Sequence, residues 1–233
     1  MTRPDCPRRF VPPTPTTQPQ DLFKEREDFS ANAFKRLFHK QDDATMLVYT
    51  DGACLDQGPP RQGQRRRAGC AFVYANSKEP IMQPLEGTVN GPEQTSNRAE
   101  LRAILLFLQM RVWEAGGADR FVVATDSEYV VEGICSRVKA WTARGWKTVN
   151  GNTVANRDLW EALLNEVECR EALGYRVLFW RIDRNHNRCA DEAAKRAAAD
   201  DEHRDVKLNV TLGVMISLRL LRESVGSSVS LCN

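Results

Sequence analysis

A chain of 233 residues, 42% hydrophobic and 27% charged, has room for one ordinary globular domain plus tails and enough apolar side chains for its core, which excludes two full domains. Lysine and arginine number 33 against 31 acidic residues, so the net charge of +2 demands no polyanionic partner. Any nucleic-acid surface must come from local clustering of charge.

Residues 1 to about 44 open with Pro4, Pro7, Pro12, Pro13, Pro15 and Pro19 and continue with mixed charge. That composition is expected to stay disordered, because it buries too little apolar area to offset the entropy of ordering. Within it, a short helix between Asp21 and Phe38 would dock Leu22, Phe23, Phe34, Leu37 and Phe38 on the domain. The domain itself is expected over residues 45–199. Met46 to Thr50 reads as a compact apolar strand ended by Asp51-Gly52, and Gly69 to Tyr74 with Ile81 to Val89 reads as a hairpin. Leu101, Ile104, Leu105, Leu108 and Val112 share one face of an amphipathic helix that Gly116-Gly117 ends.

Phe121 to Thr125 is a short buried strand, followed by a helical stretch from Ser127 and a basic, tryptophan-bearing segment from Arg137 to Lys147. Leu159, Trp160, Leu163, Leu164 and Val167 mark another helix, Tyr175 to Ile182 another strand, and Asn187 to Ala199 an alanine-rich final helix. The order βββαβαβα points to an α/β fold, a mixed sheet with helices on its faces. Residues 200–233 form an extension of no assigned role. Its Val206, Leu208, Val210, Leu212, Val214, Ile216, Leu218 and Leu220 alternate at period two, over more than the roughly five or six residues of a usual strand.

Cys6, Cys54, Cys70, Cys135, Cys169, Cys189 and Cys232 contain no CxxC pair, which suits reduced thiols inside a cell, in nucleus or cytoplasm. His186 and Cys189 make an HxxC without a second pair at ligand spacing, so a packed cysteine beside a loop histidine is the preferred reading over zinc. No run approaches the roughly 18 apolar residues of a membrane span, and Arg3, Pro4 and Asp5 stand where a signal peptide would turn apolar. A soluble monomer without a membrane partner is expected.

Four carboxylates invite a chemical reading, and each has a plain alternative. Asp51-Gly52 suits a turn after a strand. Asn97 and Glu100 have the spacing of a capping box. Asp126 lies where a helix N-cap belongs. Asp191 is four residues from Lys195, the spacing of a surface ion pair. Jointly, Asp51 and Asp126 both end short apolar strands, and if those strands are neighbours their carboxylates emerge at one edge, where α/β sheets form ligand sites. Glu100 and Asp191 can point into the same crevice. Four like charges there raise each other's pKa, and divalent cations relieve the repulsion.

The blocks YTDGACLDQG at 49–58, TSNRAEL at 95–101, TDSEYVVEGI at 125–134, WTARGWKTVNG at 141–151, NRDLW at 156–160 and NRCADEAAKRAA at 187–198 resemble, in order and spacing, the signatures of type 1 ribonuclease H. The resemblance covers roughly residues 46–199. It implies a ribonuclease H-like fold with a five-stranded mixed sheet, three antiparallel strands followed by two parallel ones. It also implies endonucleolytic cleavage of the RNA strand of RNA/DNA hybrids, leaving 5′-phosphate ends. Asp51, Glu100, Asp126 and Asp191 would be the catalytic metal ligands for two magnesium ions, with manganese as a substitute. Asp51 would be shared between the ions, and Glu100 and Asp191 would complete one each.

Two ions about 4 Å apart suit in-line phosphodiester hydrolysis, and oxygen-only ligands favour hard cations. By the same resemblance, Cys54, Gln57, Ser96, Asn97 and Arg98 would line the hybrid's minor groove, where the 2′-hydroxyl distinguishes RNA. Arg137, Lys139, Arg144 and Lys147, interleaved with Trp141 and Trp146, resemble a basic protrusion that grips the DNA strand. The alternative is a solvated helix whose tryptophans pack inward. Arg65, Arg66 and Arg67 add positive charge beside the first hairpin. Two departures stand out: Arg181 occupies the place where many members carry a loop histidine, with His186 as a partial substitute, and Glu128 replaces an amide side chain. A non-catalytic or slow hybrid-binding module is the alternative function. A phosphatase of the haloacid dehalogenase type needs an aspartate where this chain has Tyr49, and the reading is rejected on that ground.

Overall fold

The computed structural model describes residues 7–28, 33–55, 66–85, 93–110, 113 and 116–200. One seven-stranded sheet organises them. The long central strand β3 (Asp42–Leu55) pairs antiparallel with β4 (Arg67–Val73), which pairs antiparallel with β5 (Ile81–Pro84). On its other edge β3 pairs parallel with β6 (Arg120–Thr125), and β6 pairs parallel with β7 (Arg176–Arg181). Three antiparallel strands followed by two parallel ones are the arrangement expected.

Two further strands extend it, and they correct the expectation of disorder for the described part of residues 1–44, residues 7–28 and 33–44. A helical turn α1 (Pro19–Leu22) leads into β1 (Phe23–Glu27), which pairs antiparallel with β2 (Lys35–His39). β2 in turn pairs with the first half of β3, on the edge whose second half β4 takes. Upstream, the Phe10 N–H donates to the Phe179 carbonyl and the Phe179 N–H to the Arg8 carbonyl, so the leading segment also lines the far edge of β7. Composition misled because it weighs a segment alone. Phe10, Leu22, Phe23 and Leu37 find their apolar partners on the sheet, among Leu47, Val122, Ala124, Trp180 and Ile182, and open strand edges accept their backbone bonds. The helix expected between Asp21 and Phe38 is a strand pair, with Phe34 exposed rather than docked.

The sheet is covered on both faces. On one, α2 (Ser96–Gln109) and α5 (Arg157–Ala172) bury Leu101, Ile104, Leu105, Leu108, Trp160 and Leu163 against Met46, Val48, Phe121 and Val123. α2 starts at Thr95, whose hydroxyl accepts the Arg98 N–H at 3.2 Å. Between β6 and α5 come α3 (Glu128–Glu132), a π-helical turn (Gly133–Arg137) and α4 (Val138–Ala143).

The opposite face is shared. The leading segment covers the part nearest β7, and α6 (Arg188–Ala199) covers β3 and β4 with Ala193 and Ala194 packed on Ala71 and Ala53. An alanine face lets the helix backbone come close. At Gly69 it comes so near that a Cβ would stand 2.3 Å from the Ala198 nitrogen, so glycine is required there. The residues named for the hairpin beyond Leu85, Val112, and the alternating run 206–220 lie outside the described residues.

Candidate active site

The parallel pairing of β3 and β6 sets the site's geometry. Tyr49 stands opposite Ala124 in that register. Asp51 and Asp126 each follow by two residues, so they emerge side by side at the same level. Asp51 is not in a turn: β3 runs on for four residues beyond it, opposite Ala71 on β4. Along β3, Asp51 and Ala53 share the face on which α6 lies, and α6 carries Asp191.

Glu100 arrives from the other side. A Cβ at Gly52 would fall 2.1 Å from the backbone of Ala99 and Glu100, so only glycine lets α2 approach β3 this closely and bring its carboxylate to the strand end. Asn187, just before α6, ties the parts together. Its side-chain amide donates to the Thr50 carbonyl at 3.1 Å and to Asp126 Oδ1 at 2.9 Å. The charges of Asp126, Asp191 and Glu100 all act on Asp51, so the four predicted acids lie near one another.

The plain alternatives fare unevenly. The cap of α2 is Thr95, not Asn97, so Glu100 belongs to no capping box. The cap of α3 is Ser127, which accepts the Val130 N–H at 3.2 Å, leaving Asp126 unassigned to capping. Asp191 does pair with Lys195, and also with Arg184 at 2.8 Å.

Electrostatics distinguish the four. Asp51 is only 6% exposed, and no described lysine or arginine forms an ion pair with it. Burial, then the charge of Asp126, with Asp191 and Glu100 adding to it, pushes its pKa up to about 7. Glu100 is pushed up to about 7 as well, by burial and Asp126, against the opposing hydrogen bond that the Ser127 hydroxyl donates and the charge of Arg184. Burial also raises Asp191, but hydrogen bonds from Lys195 and Arg184, with their charges, outweigh it and hold this carboxyl below its usual range.

Among the described residues no three acidic, histidine or cysteine side chains already close on a single point. Glu100 is drawn to Ser127, Asp126 to Asn187, and Asp191 to its two cations. The donor set nevertheless fits a hard divalent cation. It is all oxygen, and Asp51 stands among three like charges that outweigh the hydrogen bond from the Gly52 N–H. Ser127, Asn187 and Arg184 are the members that sequence reasoning missed. The first two lie inside the quoted blocks TDSEYVVEGI and NRCADEAAKRAA, where Ser127 is next to Asp126 and Asn187 is four residues before Asp191.

The expected substrate contacts are placed less uniformly. Ser96, Asn97 and Arg98 form the first turn of α2, with Asn97 exposed. Arg98 grips Asp158 at 2.9 and 2.7 Å, fixing the start of α2 to that of α5. The Cys54 thiol is turned inward, towards the Gln94 carbonyl and Ala99, and presents no side chain to a ligand. Gln57 and Arg65 lie outside the described residues.

In the basic segment, Arg137, Lys139, Arg144 and Lys147 are exposed. Trp146 is buried, and Trp141 stands edge-on to Trp160 at 5.4 Å between centroids. The tryptophans thus pack inward while the cations face solvent, the geometry of the solvated alternative. Arg181 and Glu128 are joined by an ion pair at 3.0 Å.

Residues 43–199 match the family model described as RNase H. Over 178 residues the chain is 37% identical to a ribonuclease H of Treponema pallidum subsp. pallidum, covering 66% of this chain and 94% of that protein. It is 32% identical over 150 residues to the ribonuclease H of Caulobacter sp. (strain K31), covering 64% and 87%. It is 31% identical over 159 residues to the ribonuclease HI of Vibrio cholerae serotype O1 (strain ATCC 39315 / El Tor Inaba N16961), covering 68% and 92%. A solution structure of the PFV RNase H domain aligns over 66% of this chain and 93% of that one at 18% identity, with a TM-score of 0.49.

Proposed function

The chain belongs to the ribonuclease H family, and from that premise we propose that it hydrolyses the RNA strand of RNA/DNA hybrids with two magnesium ions held by Asp51, Glu100, Asp126 and Asp191, leaving 5′-phosphate and 3′-hydroxyl ends. The observation that supports the reading is the nearness of Asp126, Asp191 and Glu100 to the buried Asp51, whose pKa their charges raise. When bound there, the ions supply an activated water and stabilise the departing 3′ oxygen, and manganese is a substitute of similar hardness.

The protein's own residues prepare the site. Asp51 lies on β3 and Asp126 directly follows the adjacent parallel β6, and Asn187 holds Asp126 by one oxygen, leaving the other to ligate. The Ser127 hydroxyl orients Glu100. Arg184 and Lys195 balance the charge of Asp191 until a cation replaces them. At the start of α2, Ser96 and Asn97 offer polar groups to the minor groove, where a 2′-hydroxyl marks RNA. Arg137, Lys139, Arg144 and Lys147 meet the phosphates of the DNA strand.

The test is a panel of labelled nucleic acids with magnesium. The hybrid is expected to be cut on its RNA strand while single-stranded RNA and duplex DNA survive, and Asp126→Asn is expected to abolish cleavage with its circular dichroism unchanged. Cleavage persisting in excess chelator, or an active Asp126→Asn protein, would overturn the proposal.

A further inference from the structure

Arg181 and Glu128, which flank Asp126 from two different elements, meet in space. Arg181 is the last residue of β7 and pairs in register with Thr125, the residue before Asp126. Glu128 opens α3, two residues beyond Asp126. Their side chains, 54% and 61% exposed, join at 3.0 Å on the rim of the acid crevice. An ion pair this exposed does little for folding. Its place suggests a different use. Unpaired, Glu128 would be one more negative charge beside four catalytic carboxylates, on the surface a polyanion must approach, where like-charge juxtaposition is costly.

Resting on the ribonuclease H reading above, we propose that Arg181 is the positioning residue that makes a carboxylate acceptable at this rim. It holds Glu128 in a neutral pair beside the path of the bound hybrid, and it is not itself a phosphate grip. The pair then sets how well the hybrid seats over Asp126. Nothing in the metal ligands changes.

A double-mutant cycle tests this. Binding of a fluorescein-labelled RNA/DNA hybrid is measured by anisotropy in an Asp126→Asn background, so that bound hybrid is not consumed, as salt is varied. Arg181→Ala is expected to weaken binding roughly tenfold where Glu128 is present and less than about twofold where Glu128→Gln has removed the charge. Arg181→Lys should keep most of the affinity, and melting temperatures should stay together across the set.

An equal loss in both backgrounds, with the slope of log K against log salt shallower by about 0.9 in each, would show that Arg181 contacts a phosphate directly and would overturn the proposal. So would no loss in either background. Failure of the parent protein to bind hybrid at all would sink the ribonuclease H reading and this inference with it. Binding without coupling sinks the inference alone.

Discussion

Asp51→Asn should make the metal-free protein more stable at pH 8 while destroying its activity. In the folded chain, burial and three neighbouring carboxylates push the Asp51 pKa up to about 7 from an ordinary 3.8. At about 1.4 kcal/mol for each unit, the ceiling on what its ionisation costs the fold is roughly 4 kcal/mol. Because the coupled carboxylates share their protons, about 2 kcal/mol is the expected gain from replacing it with a neutral amide of the same shape. That corresponds to a rise in melting temperature of roughly 4–8 °C.

The sign follows from linkage. A folded-state pKa above the unfolded one contributes stability that is complete below about pH 4 and is lost as pH rises through about 7. The variant's advantage should therefore be largest at pH 8 and shrink towards pH 5, where wild-type Asp51 carries its proton. Thermal unfolding in chelator at pH 5, 6, 7 and 8 reads it directly. A gap independent of pH, or a variant less stable than wild type at pH 8, would refute the argument that Asp51 is a buried charge without a partner of opposite sign.

The remaining predictions draw on other parts of the molecule. Since Asp51 and Glu100 must both lose protons to ligate, the magnesium concentration giving half-maximal cleavage should fall as pH is raised from 6 to 8, and a flat titration would argue against both shifts. Phe23→Ala removes a buried ring that meets Phe10, His39 and Trp180. It should cost about 3 kcal/mol in urea unfolding with little change in the hydrolysis rate at 25 °C, while proteolysis should begin to cut within residues 7–22. Lys147→Ala should weaken hybrid binding and make its salt dependence shallower by about one phosphate contact without moving the melting temperature. Trp146→Ala, in contrast, should destabilise by roughly 3–5 kcal/mol because its ring is in the core.

What the sequence disclosed and what it hid divide along physical lines. Apolar periodicity located α2, α5, α6 and the strands that became β4, β6 and β7, because each of those signals is local. The length of β3 was invisible: Asp51-Gly52 has the chemistry of a turn, yet here its backbone is committed to Cys70 and Ala71 across the ladder. The leading segment was missed for the same reason, since what orders Phe10 and Phe23 is a sheet face whose residues, among them Val122, Ala124, Trp180 and Ile182, are distant in sequence. At the proposed site, the four acids could be named from the sequence, and the structure adds that the charges of Asp126, Asp191 and Glu100 act on Asp51. The parallel register of Tyr49 with Ala124, which makes Asp51 and Asp126 neighbours, was not legible. Nor was the choice of Thr95 and Ser127 as caps, a competition among adjacent polar residues that only backbone angles decide.

For Asp191 an ordinary local explanation and the proposed metal-ligand role need not compete. The i,i+4 pair with Lys195 is real, and Arg184 joins it, but the two cations are 52% and 70% exposed. Ion pairs that open to water are worth about 1 kcal/mol at most, so a divalent cation can take this carboxylate from them at little cost. Asp51 has no such described partner, and the electrostatic gain on ligation is concentrated there. Removing a cation from Asp191 and removing the charge of Asp51 should accordingly differ in kind. Lys195→Met is expected to leave cleavage dependent on magnesium as before, with at most a few-fold change in rate, whereas Asp51→Asn eliminates it. If Lys195→Met proved as damaging as Asp51→Asn, the lysine would belong to the chemistry itself, and the assignment of Asp191 as a ligand that exchanges a weak partner for a strong one would have to be abandoned.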